Sequence, residues 1–471
     1  MRIAFVTAEL APHAHVGGLG DVSRWLPATL AERGDDIKVF LPRYEVLDTA
    51  GRAESVVPGL EDLDLGPLGT AAIHTLDGPG PAILLVDAPE SFSGSEIYSS
   101  EPDEHLRYAV FCRAVLVACD AMGWTPEVLH VNDWHTALLP LHADARGGHW
   151  PEVPVVLTVH NLAFQGWFPS SDMERMGLDA EHPAIEQGDR GVNSLRAGIR
   201  AAEVVTTVSP TYANEILTAE RGEGLDDVLR ARQSDLVGVL NGIGAEWDPS
   251  DDPHLPASYG PSTLDLKAAS TDALRDRLGL AHADDVPVLG VVSRLTMQKG
   301  FELLRHTLPP LLETGVVQLA VIGTGDPTLE AMFGMFAERF PSEAGYHRGF
   351  DIGLAHLIQA GADIFLMPSE WEPCGLNQMY SQRYGTVPVV HRTGGLADTV
   401  KPWDPGAGEG TGFLFERHND EGFSAALSDA LETFGDDKAW RQLQRNGMAE
   451  DFSWERRAGE YRDVYRRVLR T

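Results

Sequence analysis

The chain has 471 residues, 43% of them apolar and 23% charged, with a formal net charge of −33. That is a globular composition, long enough for two hydrophobic cores. It excludes nucleic acid as a partner, which needs a basic face, and no apolar run approaches the roughly 20 residues that cross a bilayer.

The opening, MRIAFVTAEL, enters a strand pattern at once, without the basic region and long apolar stretch of a signal peptide; this predicts a cytoplasmic protein. Cys112, Cys119 and Cys374 are too dispersed for a disulfide framework or a zinc site. The 37 basic residues include five lysines. Such an acidic surface suits a salt-rich environment, and a GC-rich genome would deplete lysine equally. A small anionic substrate then needs a local positive cluster to receive it.

RIAFVTAE reads as a buried strand, HVGGLGD as a glycine turn, VSRWLPATLAERG as a helix and IKVFLPRY as a second strand. GPLGTAAIHTLDGPGPAILLV reads as a hairpin near one edge. AVFCRAVLVACDAMGW is a buried helix carrying Cys112 and Cys119. EVLHVND, PVVLTVHN, EVVTTVSP and DLVGVLNGI are further apolar strands. Helical stretches between them predict a mainly parallel sheet covered on both faces.

A second series, PVLGVVSRL, VQLAVIGTG, DIFLMPS and TVPVVHRTGG, alternates with helices such as STDALRDRLGL and AALSDALETFG. The fold class is therefore α/β, with two doubly wound, Rossmann-like domains whose strand ends line a central cleft. The first domain is expected over residues 1–245 and the second over 246–450. A C-terminal helix, 451–471, packs back on either domain, and the polar stretch Trp247 to Tyr259 joins the two.

Four segments at strand ends carry chemistry. His15-Val16-Gly17-Gly18-Leu19-Gly20-Asp21 precedes a helix, where backbone N–H groups offer themselves to an anion; an ordinary tight turn is the plain alternative. Ser293-Arg294-Leu295-Thr296-Met297-Gln298-Lys299-Gly300 brings Arg294 and Lys299 toward one diphosphate. Glu372-Pro373-Cys374-Gly375-Leu376 holds a carboxylate beside a helix start, suited to sugar hydroxyls and to positive charge at an anomeric carbon. Thr393-Gly394-Gly395 forms another glycine turn, suited to a distal phosphate. The first domain adds Asp133-Trp134-His135 and His160, each after a strand, where buried or capping histidines are the plain alternative.

In their order, HVGGLGDV, HVNDWHT, TVHNLAFQG, VVTTVSPTYANEI, VLNGI, SRLTMQKG, LAHLIQAGADIFLMPS, EPCGLNQ and RTGGLADTV resemble the bacterial glycogen synthases and plant starch synthases over essentially the whole chain. The resemblance implies the GT-B fold, with the C-terminal helix crossing back to the first domain. It implies transfer of glucose from ADP-glucose to the non-reducing end of an α-1,4-glucan with retention. The residues themselves leave ADP-glucose and UDP-glucose both open. By motif position, Arg294 and Lys299 stabilise the departing diphosphate, and Glu372 and His160 hold the donor glucose. Asn241, Cys374, Gly375 and Leu376 complete the sugar pocket, and Thr393, Gly394 and Gly395 meet the phosphate end. Phe350 stacks on the base. His15, Gly17, Gly18 and Asp21 complete the donor side, and Glu9, Asp133, Trp134 and His135 face the glucan acceptor. No cofactor or metal is implied, and no nucleic acid or membrane partner; the oligomeric state is left open.

Two departures stand out: His15 replaces the usual lysine, and Glu370-Trp371 replaces a common Arg-Phe. The first admits another nucleotide-sugar donor, or a weakly active glucan-binding homologue. A nicotinamide oxidoreductase is disfavoured because G-G-L-G is not G-x-G-x-x-G, and a phosphorylase because no lysine stands out for pyridoxal phosphate.

Overall fold

The computed structural model describes residues 1–94, 96–99 and 101–470. Ser95, Ser100 and Thr471 lie outside the described residues; Thr471 closes the segment expected to form the C-terminal helix. The chain divides into two compact units: Met1–Gly242 with Ser453–Thr471, and Ile243–Phe452.

In the first unit seven strands run parallel, in the spatial order Leu236–Gly238, Val204–Thr207, Val155–Val159, Val128–Asn132, Arg2–Val6, Asp36–Pro42 and Ala82–Asp87. Thr70–Leu76 then adds antiparallel, as the hairpin expected at one edge. The central strands are buried along their whole length, which explains why they are mainly apolar, with the few polar side chains such as His130 and Thr158 bonded to one another. A small antiparallel sheet of Gln187–Gly188, Gly191–Asn193 and Trp167–Phe168 was not foreseen; strands of two or three residues carry no readable period.

Helix Trp454–Val468 belongs to this unit. Its Tyr465 hydroxyl lies 2.7 Å from Nδ1 of His130, a fully buried strand residue whose Nε2 lies 2.7 Å from Thr158 Oγ1. Burial pushes the His130 imidazole down to about 3, so it is a neutral link between helix and sheet.

The second unit has six parallel strands, in the order Ala344–Arg348, Gln318–Gly323, Val288–Val292, Ile364–Met367, Val387–His391 and Phe413–Phe415. The stretch Trp247 to Tyr259, expected to be a joining segment, is an integral part of this unit. The Trp247 ring is stacked between His356 and Tyr380, with centroids 3.8 Å away on each side. Asp252 accepts a hydrogen bond from Tyr384 and lies 2.7 Å from His356 Nδ1. Its polarity misled the sequence reading because these polar groups are satisfied inside the fold.

Candidate active site

Each of the two large sheets reverses its winding between two neighbouring strands, and ligands bind in the crevice such a reversal opens at the carboxyl ends. In the second unit the reversal falls between Val288–Val292 and Ile364–Met367. The segments leaving those strands carry Arg294 and Lys299, and Glu372.

These segments are joined closely. Gln298 Nε2 donates to Trp371 O at 3.0 Å, and the Glu370 N–H donates to Gln298 O at 2.9 Å. Lys299 Nζ donates to Glu372 Oε2 at 2.7 Å, and Ser369 Oγ donates to the same oxygen at 2.9 Å. Gly300 makes the approach possible: it has φ +68°, and a Cβ there would lie 2.0 Å from Pro368 O. Arg294 is exposed, and among the described residues its side chain has no carboxylate partner. Lys299 therefore balances Glu372, while Arg294 remains available to an anion.

Gly394 and Gly395 owe their identity first to chain approach. Cβ atoms there would lie 2.1 Å from Glu372 O and 2.1 Å from Cys374 O respectively. The Gly395 N–H donates to Glu372 O at 3.0 Å, so that donor is committed inside the protein and is not offered to a phosphate as expected. Thr393 and Cys374 are buried beside them, and Gly375 and Leu376 lead into helix Asn377–Arg383. Phe350, after strand Ala344–Arg348, is 83% exposed, an unusual position for a phenylalanine and one suited to stacking.

The first unit reverses between Arg2–Val6 and Val128–Asn132. Here the expected anion cradle is corrected. The Val16 and Gly17 N–H groups each donate to Glu9 Oε2 at 2.8 Å. The glycine turn thus holds the chain's own buried carboxylate, whose Oε1 accepts from the Tyr98 hydroxyl at 2.5 Å. Gly18 opens helix Gly18–Glu32. His15 stays at this turn through its side chain: Nε2 lies 3.6 Å from Asp21 Oδ2, and its ring rests where a Gly20 Cβ would stand, 2.6 Å from Cδ2. The Asp21 carboxylate beside it, helped by the charge of Glu9, raises the His15 pKa against the opposing cost of burial.

Strand Val128–Asn132 ends in a one-turn helix, Asp133–Thr136. Asp133 holds φ +55° and accepts the His160 N–H at 2.7 Å; burial pushes its carboxyl up to about 7. His160 Nε2 lies 3.0 Å from Asn132 Oδ1, and Asn132 Nδ2 donates to Val6 O at 3.1 Å. The amide orientation so fixed makes Asn132 Oδ1 an acceptor, and burial pushes His160 down to about 3. His160 is therefore neutral with its proton on Nε2, leaving Nδ1 as an acceptor. His135 is likewise held at about 3 by burial; it stacks on Tyr98 at 4.8 Å and touches the Trp134 ring at 4.2 Å. Asn241 is buried, and its Oδ1 has no hydrogen-bond partner among the described residues. A buried orphan acceptor implies a donor supplied from outside.

Sequence reasoning passed over Asn132, Ser369, Gln298 and Tyr98. Asn132 sits inside the HVNDWHT segment, and its position next to the candidate Asp133 was a usable signal. Tyr98 lies in a polar stretch without a motif, so nothing local marks it.

The family description "Starch synthase catalytic domain" matches residues 2–231, and "Glycosyl transferases group 1" matches residues 274–447. The glycogen synthase of Anaeromyxobacter dehalogenans (strain 2CP-C) is 45% identical, covering 99% of both chains. That of Geotalea daltonii is 40% identical, covering 100% of this chain and 99% of the relative. Among solved structures, the catalytic domain of Starch Synthase IV from Arabidopsis thaliana bound to ADP and acarbose has a TM-score of 0.90 and 31% identity, covering 100% of this chain and 99% of that one. Sucrose-phosphate synthase from Thermosynechococcus elongatus is alike in fold, with a TM-score of 0.62 at 18% identity.

Proposed function

The chain belongs to the bacterial glycogen synthase and starch synthase family, with its GT-B fold, and from that premise we propose that it transfers glucose from ADP-glucose to the non-reducing end of an α-1,4-glucan with retained configuration. The observation that carries this reading is the Lys299–Glu372 pair at the winding reversal of the second unit, with the exposed Arg294 in the same strand exit as Lys299.

In this reading Arg294 and Lys299 neutralise the diphosphate as the bond from glucose C1 to the phosphate oxygen breaks. Glu372, held by Lys299 and Ser369, faces the positive charge that grows on the sugar ring. The acceptor hydroxyl attacks from the face the leaving group departs, and its proton passes to the departing phosphate oxygen. No metal is invoked, because the two cations supply the leaving-group charge. His160 Nδ1 and Asn241 Oδ1 accept hydrogen bonds from sugar hydroxyls, the Gly375-Leu376 backbone closes the sugar pocket, and Phe350 stacks on the base.

The buried Glu9, tied to the glycine turn and to Tyr98, acts as a positioning residue for the acceptor side formed with Asp133, Trp134 and His135. His15 meets the donor with its imidazolium, supported by Asp21. Among the described residues no helix is long and apolar enough to cross a membrane, and we place the enzyme in the cytoplasm, beside its glucan.

Nucleotide release from ADP-glucose and from UDP-glucose, each with and without glycogen, tests the reading. Glycogen-dependent ADP release is expected. Faster UDP release would overturn the donor assignment, and no glycogen-dependent release from either donor would overturn the synthase assignment.

A further inference from the structure

Strand Ile364–Met367 of the second unit pairs with Val387–His391, and the last pair in the register is Met367 with Val390. Beyond Met367 the chain leaves the sheet on its way to Glu372, so the carbonyls of Pro368 and Ser369 need donors from outside the ladder. Two imidazoles supply them. His418 Nε2 donates to Pro368 O at 2.8 Å, and His391 Nδ1 donates to Ser369 O at 2.9 Å. A carbonyl oxygen only accepts, so these bonds require a proton on Nε2 of His418 and on Nδ1 of His391. We propose that His418 and His391 are positioning residues for glucosyl transfer, holding Pro368 and Ser369 so that Ser369 and Glu372 keep their places at the donor site; the inference rests on the synthase reading above.

Both histidines are fixed by the fold. His391 ends strand Val387–His391 and is buried; its ring lies 5.1 Å from that of His418 and 5.2 Å from Phe415. His418 stands just before Asn419, whose side chain caps helix Asp420–Phe434 by accepting the Gly422 N–H at 2.8 Å. That cap anchors the residue next to it. Gly300, from the Lys299 segment, lies so close that a Cβ there would be 2.0 Å from Pro368 O and 2.6 Å from His418 Nε2. Four strand exits therefore meet at Pro368 and Ser369.

The two sets of contacts hold different parts of one segment. Gln298 and Lys299 bind Glu370, Trp371 and Glu372, while the histidines bind the two residues before them. Ser369 is the link: its carbonyl accepts from His391, and its hydroxyl donates to Glu372 Oε2 at 2.9 Å. Losing either imidazole N–H deprives a carbonyl of that donor. The carbonyl then turns toward another donor, and the Ser369 hydroxyl moves with its backbone. A displaced Glu372 meets the charge of the transition state poorly, while the contacts that bind diphosphate and glucan stay. The loss therefore falls on the chemical step.

Paired variants separate the N–H group from the ring that carries it. His418→Gln can present an N–H where Nε2 stood, and His391→Asn where Nδ1 stood; His418→Leu and His391→Leu cannot. Glycogen-dependent ADP release gives kcat and both KM values, and urea unfolding reports the folding of each full-length variant. The leucine variants are expected to lose about 10- to 100-fold in kcat, the scale of a displacement of about 1 Å at a reacting centre, with both KM values unchanged. The amide variants are expected to regain most of that rate. Ser369→Ala is expected to cost less in the His418→Leu protein than in the unsubstituted one, because both act on the same carboxylate. Should neither leucine variant fold, His418→Ala, at a half-buried loop position, takes their place. A folded leucine or alanine variant with unchanged kcat, amide variants as slow as the leucine ones, or a Ser369→Ala loss that simply adds would overturn the proposal. Absence of glycogen-dependent nucleotide release in the unsubstituted enzyme would instead overturn the synthase reading.

Discussion

Lys299 Nζ donates to Glu372 Oε2 at 2.7 Å, joining two strand exits that are 73 residues apart in the chain. The side chains are 18% and 9% exposed, so water screens the pair weakly. Ser369 Oγ binds the same oxygen. Together they fix the carboxylate before any substrate arrives, which lowers the reorganisation needed at the reacting centre.

Removing the cation should therefore affect both rate and stability. Lys299→Met is expected to lower kcat/KM by about 100- to 1,000-fold, the loss typical of one group that stabilises developing charge. It also strands Glu372, costing about 3 kcal/mol, whereas the double variant Lys299→Met/Glu372→Gln regains most of that stability while remaining inactive. Steady-state kinetics and urea unfolding check both halves. A double variant no more stable than the single one would refute the coupling.

The His15–Asp21 pair predicts a pH dependence. The neighbouring Asp21 carboxylate raises the His15 pKa above its ordinary 6.5, and Glu9 and the Gly17 backbone act in the same direction. The imidazolium is then present at low pH and is lost as pH rises through the raised value. Donor kcat/KM is expected to fall over that window, and His15→Lys is expected to hold it flat to pH 9. Asp21→Asn should move the fall to lower pH. Superimposable profiles for native and His15→Lys enzymes would remove His15 from the donor site.

Asp133 titrates in the opposite sense to a paired carboxylate. Burial lifts its pKa from 3.8 to about 7, so ionising it costs more in the folded chain than in the unfolded one. The folded state is penalised progressively as pH rises from 3.8 toward 7, and the penalty is complete above it. Asp133→Asn keeps an acceptor for the His160 N–H and tolerates φ +55°. It should be the more stable protein at pH 8, with the advantage vanishing below pH 4, by urea unfolding at each pH. A constant difference across that range would contradict this account.

Gly300 is the hinge of the donor-side contact. Gly300→Ala places a Cβ against Pro368 O and strains a left-handed backbone. The Lys299 and Glu372 segments must then part, and a shift of that order lowers kcat/KM about 100-fold. Gly334→Ala, in helix Pro327–Arg339 with open space around it, is the silent control. Equal activity of the two variants would show that the close approach does not matter.

Much of this was readable from local pattern. Buried parallel strands appear as mainly apolar runs, so Val155–Val159 and Val288–Val292 were evident, and the residues just after them were the right ones to inspect. Local pattern misassigned the Trp247 stretch, because its histidine and tyrosine partners lie more than 100 residues away. It also credited the first glycine turn with free N–H groups, since nothing near the turn shows that Glu9 would fold back to take them.

The sequence by itself determined which elements form, the order of the chemically active segments and the family to which they belong, because period, turn chemistry and motif spacing are properties of neighbours along the chain. The tertiary structure decided which strand exits adjoin. It thereby paired Lys299 with Glu372 and fixed the His160 tautomer through Asn132. Those relations depend on closures across tens to hundreds of residues, which burial and sheet winding select and no local pattern encodes.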